Sequence, residues 1–358
     1  MRVVHGAGPR AVRVAQWALG AVGRESLAGI LNAPGLELVA VKVHSPDKAG
    51  ATAGNGVVTT VSVEELLAAR PDVVVYTPRT PSVDEVCGLL RAGVDVVTTA
   101  FAFHPARMAE PDRSRLLDAA VAGGSTLHGS GLNPGNFSAA VPLALSGLVR
   151  HLRRVTLTER ADWSVYESTS ITFDAMRFGR PPEEVSESAS ELLAFNADLF
   201  RQQVWLLGDA LGADLDEVVT EHEVVVAGER VPVFDRVIEP GTVNAQRWRW
   251  VGRSGGADRV EIDCMWTVGP TTADWPAAQH GWTLQLEGDP SVSAHLMTLA
   301  SLTEPRTLAE HVRAASVATA MQVVNAIPHV HAAPPGFATS ADLPIPRSLQ
   351  GFREPASP

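Results

Sequence analysis

Apolar and polar positions along the first third of the chain switch between short β-branched runs and stretches of helical period. Residues 12–17, 36–43, 73–76, 94–98 and 125–128 read as strands. Helices are expected at 23–32, where Pro34-Gly35 ends the pattern, and at 63–69, 83–92 and 113–122. Continuous runs such as Val73-Val74-Val75 suit strands covered on both faces, the situation of parallel strands joined by crossover helices. The segment Gly129-Ser130-Gly131-Leu132-Asn133-Pro134-Gly135-Asn136 breaks this rhythm, being too rich in Gly and Pro to extend either element.

Beyond that segment the strands lengthen, at 154–160, 218–227, 259–268 and 282–287, and a helix is expected over 183–211. This is the pattern of an α+β domain on a mainly antiparallel sheet. Trp248-Arg249-Trp250 reads as a strand whose tryptophans share one face, in the sheet core or a dimer interface. A last helix at 307–325 runs into Ala326-Ile327-Pro328 and a proline-rich tail. A chain of 358 residues exceeds one ordinary core. The expectation is an α/β dinucleotide-binding domain with a doubly wound parallel sheet over 1–135, with the tail 326–358 folding back on it. The α+β domain over 136–325 would bind substrate and dimerise, leaving a cleft between the two.

Composition narrows the function classes. Hydrophobic residues at 45% and charged residues at 19% are those of a globular protein. The net charge of -11, without a long Lys/Arg run, excludes nucleic acid and anionic membrane as expected partners. Cys87 and Cys264 form neither a disulfide framework nor a metal-ligand spacing, which points to a reducing cytoplasm. The N-terminus lacks a signal-peptide core, and no apolar run approaches a membrane span. No metal is expected, since His329-Val330-His331 lacks further ligands. No GxSxG, Walker or HExxH motif gives hydrolysis or phosphoryl transfer a foothold.

The strongest local signal is Gln16-Trp17-Ala18-Leu19-Gly20-Ala21-Val22-Gly23, between the first strand and its helix. It is a variant of the glycine fingerprint for dinucleotides, with Ala18 in place of the first glycine and with Gly20 and Gly23 retained. Ala18, Gly20, Ala21, Val22 and Gly23 are expected to hold a pyrophosphate through amides at the helix N-terminus. The alternative is a glycine turn that only tightens a loop. At the end of the second strand an NAD-preferring site places an acid on the ribose hydroxyls; here stand His44 and Ser45. Ser45 and Lys48 suit the 2′-phosphate of NADP, with Asp47 acting against them. NADP is the expected cofactor and NAD the other option; a solvated loop lysine is the competing reading of Lys48.

These residues resemble the dihydrodipicolinate reductase-like oxidoreductases that include 2,4-diaminopentanoate dehydrogenase and the native amine dehydrogenases. The likeness is carried by Val14 through Gly23, Val43 through Lys48, Gly131-Leu132-Asn133-Pro134-Gly135, Val324-Asn325-Ala326-Ile327-Pro328, Pro335-Gly336 and Asp342-Leu343-Pro344. The resemblance implies a Rossmann domain, a dimerising substrate domain and hydride delivery from NAD(P)H to an iminium. Thr77, Pro78, Asn133 and Asn325 are then expected at the cofactor. It also implies a glutamate just after the fourth strand of the first domain, where this chain reads Thr98-Thr99-Ala100-Phe101-Ala102-Phe103-His104-Pro105, without a carboxylate.

Forming a carbinolamine and expelling water needs a positioned acid/base, whereas hydride transfer to a preformed imine needs less. Candidate proton donors are Tyr166, His104 and Glu159. Glu159 or Asp162 would bind a cationic amine, and Phe101, Phe137, Trp163 and Phe173 would shape an apolar pocket. Each has a plainer reading: His104 a loop histidine, Glu159 part of a solvated strand face, Asp162 a turn residue, the aromatics core. The expected function is NADPH-dependent reduction of a C=N or C=O bond in a small organic substrate, as an imine reductase would perform it, by a homodimer. The alternatives are a true amine dehydrogenase with a relocated acid/base, and a catalytically silent nucleotide-binding sensor.

Overall fold

The computed structural model describes residues 10–166 and 168–352. Residues 1–9, read above as lacking a signal-peptide core, lie outside the described residues, as do Glu167 and the last six residues of the tail. Two compact units divide the chain, Met1–Gly131 with Ser316–Pro358, and Leu132–Ala315, against the expected breaks at 135 and 325.

In the first unit β1 (Val12–Trp17), α1 (Ala21–Asn32), β2 (Leu36–Lys42), β3 (Thr52–Gly54), β4 (Val57–Thr60) and α2 (Val63–Ala68) follow one another. They lead into β5 (Val73–Tyr76), α3 (Val83–Arg91), β6 (Asp95–Thr98), α4 (Asp112–Gly123) and β7 (Thr126–Gly129). Ser62 and Ser82 start α2 and α3 as caps, each accepting from the amide of a glutamate three residues on, Glu65 and Glu85. β5, β6 and β7 are buried along their whole length, as the valine runs of β5 and β6 require.

The second unit contains α5 (Val141–Ser146), β8 (His151–Asp162), α6 (Glu191–Leu211), β9 (Glu217–Val226), β10 (Val231–Val233) and β11 (Arg236–Ile238). β12 (Val243–Ser254), β13 (Ala257–Thr267), β14 (Gly281–Asp289) and β15 (Val292–Leu296) complete it. Its six-stranded sheet has the order β15-β14-β8-β13-β12-β9 and is antiparallel except where β13 runs parallel to β8. Trp248 and Trp250 face its core, with Phe200 stacked on Trp250 at 4.3 Å. The helix expected over 183–211 begins only at Glu191. Ser190 caps it, and the serines before it bond locally, Ser186 Oγ accepting from the amide of Ala189.

α7 (Leu308–His331) and β16 (Gly336–Phe337) return the chain to the first unit. β16 joins the edge of an eight-stranded sheet, order β16-β7-β6-β5-β1-β2-β4-β3, parallel except for the β3–β4 pair. α7 lays Val323, Val324, Ala326, Ile327 and Val330 on Val14, Val41, Val73, Val75 and Val97. It continues six residues past its expected end, through Pro328. The hydrogen bond that proline removes is offset by burial of Ile327 and Val330 and by His331, whose Nδ1 lies 2.8 Å from Asp95. His331 is thereby a structural residue.

Candidate functional site

The turn between β1 and α1 has the geometry that a dinucleotide pyrophosphate requires. Ala18 takes φ +73°, the left-handed conformation the first fingerprint glycine would adopt freely, at a cost of roughly 1 kcal/mol for a residue with a Cβ. A Cβ on Gly23 would sit 2.2 Å from the Ala18 carbonyl oxygen and 2.9 Å from Thr77 Oγ1, so only glycine lets helix and strand approach this closely. A Cβ on Gly20 would meet nothing within 4 Å, leaving open space over the turn. No side chain caps α1 and its first turn carries no acid, so the amides of Ala21, Val22 and Gly23 are left for an anion. Gln16, buried in β1, braces the turn by donating to the Ala18 carbonyl and to Thr77 Oγ1, both at 2.9 Å. Thr77 and Pro78 are buried at the end of β5 beside it. These residues fit the pyrophosphate of a nicotinamide dinucleotide.

At the end of β2, His44 and Lys48 are exposed and Ser45 half-buried, with no carboxylate on the strand end itself. A cation that the sequence reading missed lies just before them: Lys42 is 6% exposed, its Nζ 4.1 Å above the ring of Trp17. The signal was its place two residues after Ala40 and four after Leu38, on the buried side of the strand. Asn325 lies elsewhere, on α7 beside Ala28, Gly29 and Asn32 of α1, with its Oδ1 accepting from the Leu349 amide. The structure does not bring it to the glycine turn.

In the second unit the site builds on β8. Val155, Leu157 and Glu159 alternate onto the buried face of the sheet, which puts a carboxylate where the pattern calls for a hydrophobe. The solvated-face reading of Glu159 is therefore wrong. Its neighbours across the sheet are Cys264 on β13 and Trp282 on β14. Trp266 Nε1 donates to Oε1 at 2.9 Å, Trp282 Nε1 to Oε2 at 3.0 Å, and Asn133 Nδ2 also to Oε2. The Cys264 thiol lies 3.8 Å from the same oxygen. Burial pushes the Glu159 carboxyl above the usual carboxylate range, although each of these donors pulls it back. Burial, with the glutamate beside it, holds the Cys264 thiol well up, consistent with a packing residue; Cys87 is likewise free and buried.

Aromatic rings enclose this carboxyl. Phe137 packs on Trp282 at 5.0 Å, Trp163 on Trp266 at 6.0 Å, and Tyr166 on Trp163 at 5.4 Å. Tyr166 and Trp163 thus stand within the same cluster as Glu159, the Tyr166 phenol pushed up by burial. Asp162 does not join them, because its Oδ1 accepts from the amides of Ser164 and Gly269 and so caps a turn. Phe173, 7% exposed, is core, with Arg236 over its ring at 5.3 Å. In the first unit Phe101 is 3% exposed and set edge-on to Tyr76 at 6.4 Å, a core position. His104, 7% exposed, starts the short turn Pro105–Arg107. Asn133, expected at the cofactor, spends its amide nitrogen on Glu159. Among the described residues no group of three or more His, Cys, Asp or Glu could hold a metal, and no helix is long and apolar enough to cross a membrane.

Known proteins resemble this chain in sequence and fold. Residues 140–356 match the 2,4-diaminopentanoate dehydrogenase C-terminal domain. An amine dehydrogenase of Streptomyces virginiae is 28% identical over 355 residues, covering 92% of this chain and 95% of that one. A 2,4-diaminopentanoate dehydrogenase of Acetoanaerobium sticklandii is 22% identical over 275 residues, 76% of this chain and 72% of its own. The solved amine dehydrogenase of Mycobacterium smegmatis shares the fold, with a TM-score of 0.72 at 22% identity over 94% of this chain and 97% of that one. With a dinucleotide turn at one end and this domain over most of the rest, the chain belongs to the 2,4-diaminopentanoate dehydrogenase family and is an NAD(P)-dependent oxidoreductase.

Proposed function

We propose that the enzyme prefers NADPH and reduces the C=N bond of a small, largely apolar substrate, with Glu159 managing the proton on nitrogen. The observation that carries this reading is the Glu159 carboxyl, buried among aromatic rings under three N–H donors. Burial holds this carboxyl above the usual carboxylate range, so it keeps its proton to higher pH than an exposed glutamate does. On meeting a neutral imine it passes that proton to nitrogen. The resulting carboxylate is stabilised by the N–H donors and by the iminium beside it, and the ring faces suit the cation. The reduced nicotinamide, when bound, supplies hydride to the carbon of the same bond. A carbonyl oxygen gains less, since it does not leave a pair of opposite charges, and C=N is favoured over C=O on that ground.

A true amine dehydrogenase, with Glu159 doing the work of the carboxylate missing from 98–105, is the second reading; the amine dehydrogenase named among its relatives favours it. Preference for NADPH rests on the absence of an acid at the end of β2 and on Ser45, Lys48 and the nearby Lys42. Tyr166 and His104 are secondary proton donors in this scheme. The same reading takes the enzyme as a cytoplasmic homodimer.

The test is NADPH consumption with preformed cyclic imines, and with ketones and aldehydes, each with and without ammonia, for wild type and Glu159→Gln. Turnover on imines, or on carbonyls with ammonia, is expected, with kcat about 100-fold lower in the variant and NADPH binding unchanged. Because the protonated acid is the active form, activity should fall as pH rises through an apparent pKa above the ordinary glutamate value of about 4.3. Equal turnover by the variant would overturn the role of Glu159. Silence on every substrate with NADPH still bound would leave the sensor.

A further inference from the structure

The amide of Asn133 is half used. Its Nδ2 donates to Glu159 Oε2, whereas its Oδ1 is buried and has no hydrogen-bond partner among the described residues. A buried acceptor without a donor is costly and uncommon. Both atoms belong to one amide, so the unused oxygen lies beside the carboxyl. A ligand held by Glu159 through one N–H therefore finds a second acceptor next to it. The rings of Phe137, Trp282 and Trp266 line the carboxyl as well, and none of these three is an acceptor.

We propose that Asn133 is a specificity-determining residue that selects nitrogen bearing at least two N–H groups, and this rests on the reading that Glu159 meets the substrate nitrogen. An iminium R2C=NH2+ or a primary ammonium satisfies both the Glu159 carboxylate and Asn133 Oδ1. A protonated cyclic imine has one N–H and leaves Oδ1 unpaired. A quaternary ammonium satisfies neither, although it carries the same charge. Charge and ring faces attract the cation; the number of N–H donors decides which cation stays.

Saturation-transfer NMR competition on the full chain, using n-butylammonium against N,N,N-trimethylbutylammonium, tests this directly. Wild type is expected to prefer butylammonium, and Asn133→Leu to lose about tenfold of that preference. Trp282→Phe also removes one donor from Glu159 but leaves Oδ1 in place, so it should keep the preference; thermal melts check that both variants fold. Failure of wild type to bind butylammonium more tightly, or an unchanged preference in Asn133→Leu, overturns the proposal. So does an Asn133→Leu variant whose only defect is weaker NADPH binding, which would return Asn133 to the cofactor. Normal turnover in Glu159→Gln would instead sink the reading of Glu159, whatever Asn133 does.

Discussion

The two units present their polar groups in opposite ways. In the first, the dinucleotide turn is made of backbone: amides at the start of α1, an Ala18 in left-handed conformation and a Gly23 with no room for a Cβ. All of it lies within eight consecutive residues. In the second, Glu159 takes its donors from Asn133, Trp266 and Trp282, which lie 26, 107 and 123 residues away. A backbone site is set by which positions lack a side chain. A side-chain site is set by register, because only strand pairing decides which residues meet.

The contrast can be broken most sharply at Gly23. Gly23→Ala forces a Cβ into the Ala18 carbonyl and should lower the unfolding free energy by about 3 kcal/mol and weaken NADPH binding more than tenfold. Urea denaturation and a fluorescence titration measure both. Wild-type affinity in that variant would mean that the turn relaxes at little cost and that its geometry does not hold the cofactor.

His222 offers an intermediate effect in the second unit. It stacks on Trp248 at 3.6 Å, and burial lowers its pKa from 6.5 to about 4, only partly opposed by a hydrogen bond with Gln246. The unfolded chain therefore takes up this proton first as pH falls. Stability linked to His222 is present above pH 6.5 and is lost on acidification between 6.5 and about 4. His222→Phe should flatten that part of a stability-against-pH curve; a curve of unchanged slope would assign the loss to other groups.

The smallest effect is expected at Ala18. Ala18→Gly relieves the left-handed strain, and loses part of the gain to the greater freedom of the unfolded chain, for a net stabilisation of about 0.5–1 kcal/mol. A thermal melt reads it as a small rise in Tm. A fall instead would show that the alanine methyl, on a residue 8% exposed, contributes more by packing than its backbone costs.

What the sequence by itself determined is what short-range physics writes into consecutive residues. Valine runs with capped helices between them specify the parallel sheet, and a glycine pattern between strand and helix specifies the dinucleotide turn. The tertiary structure decided the rest. The continuation of α7 through Pro328 follows from burial of Ile327 and Val330 against the sheet, which outweighs a local helix-breaking signal. Asp162 and Glu159 were equal candidates on one strand, three residues apart; alternation and turn formation sent one to a cap and the other into the core. Lys42 was hidden because a lysine at a strand end reads as solvated until the ring beneath it is seen. Partners of a buried charge come from distant strands, and a one-dimensional pattern holds no record of that pairing until the sheet assembles.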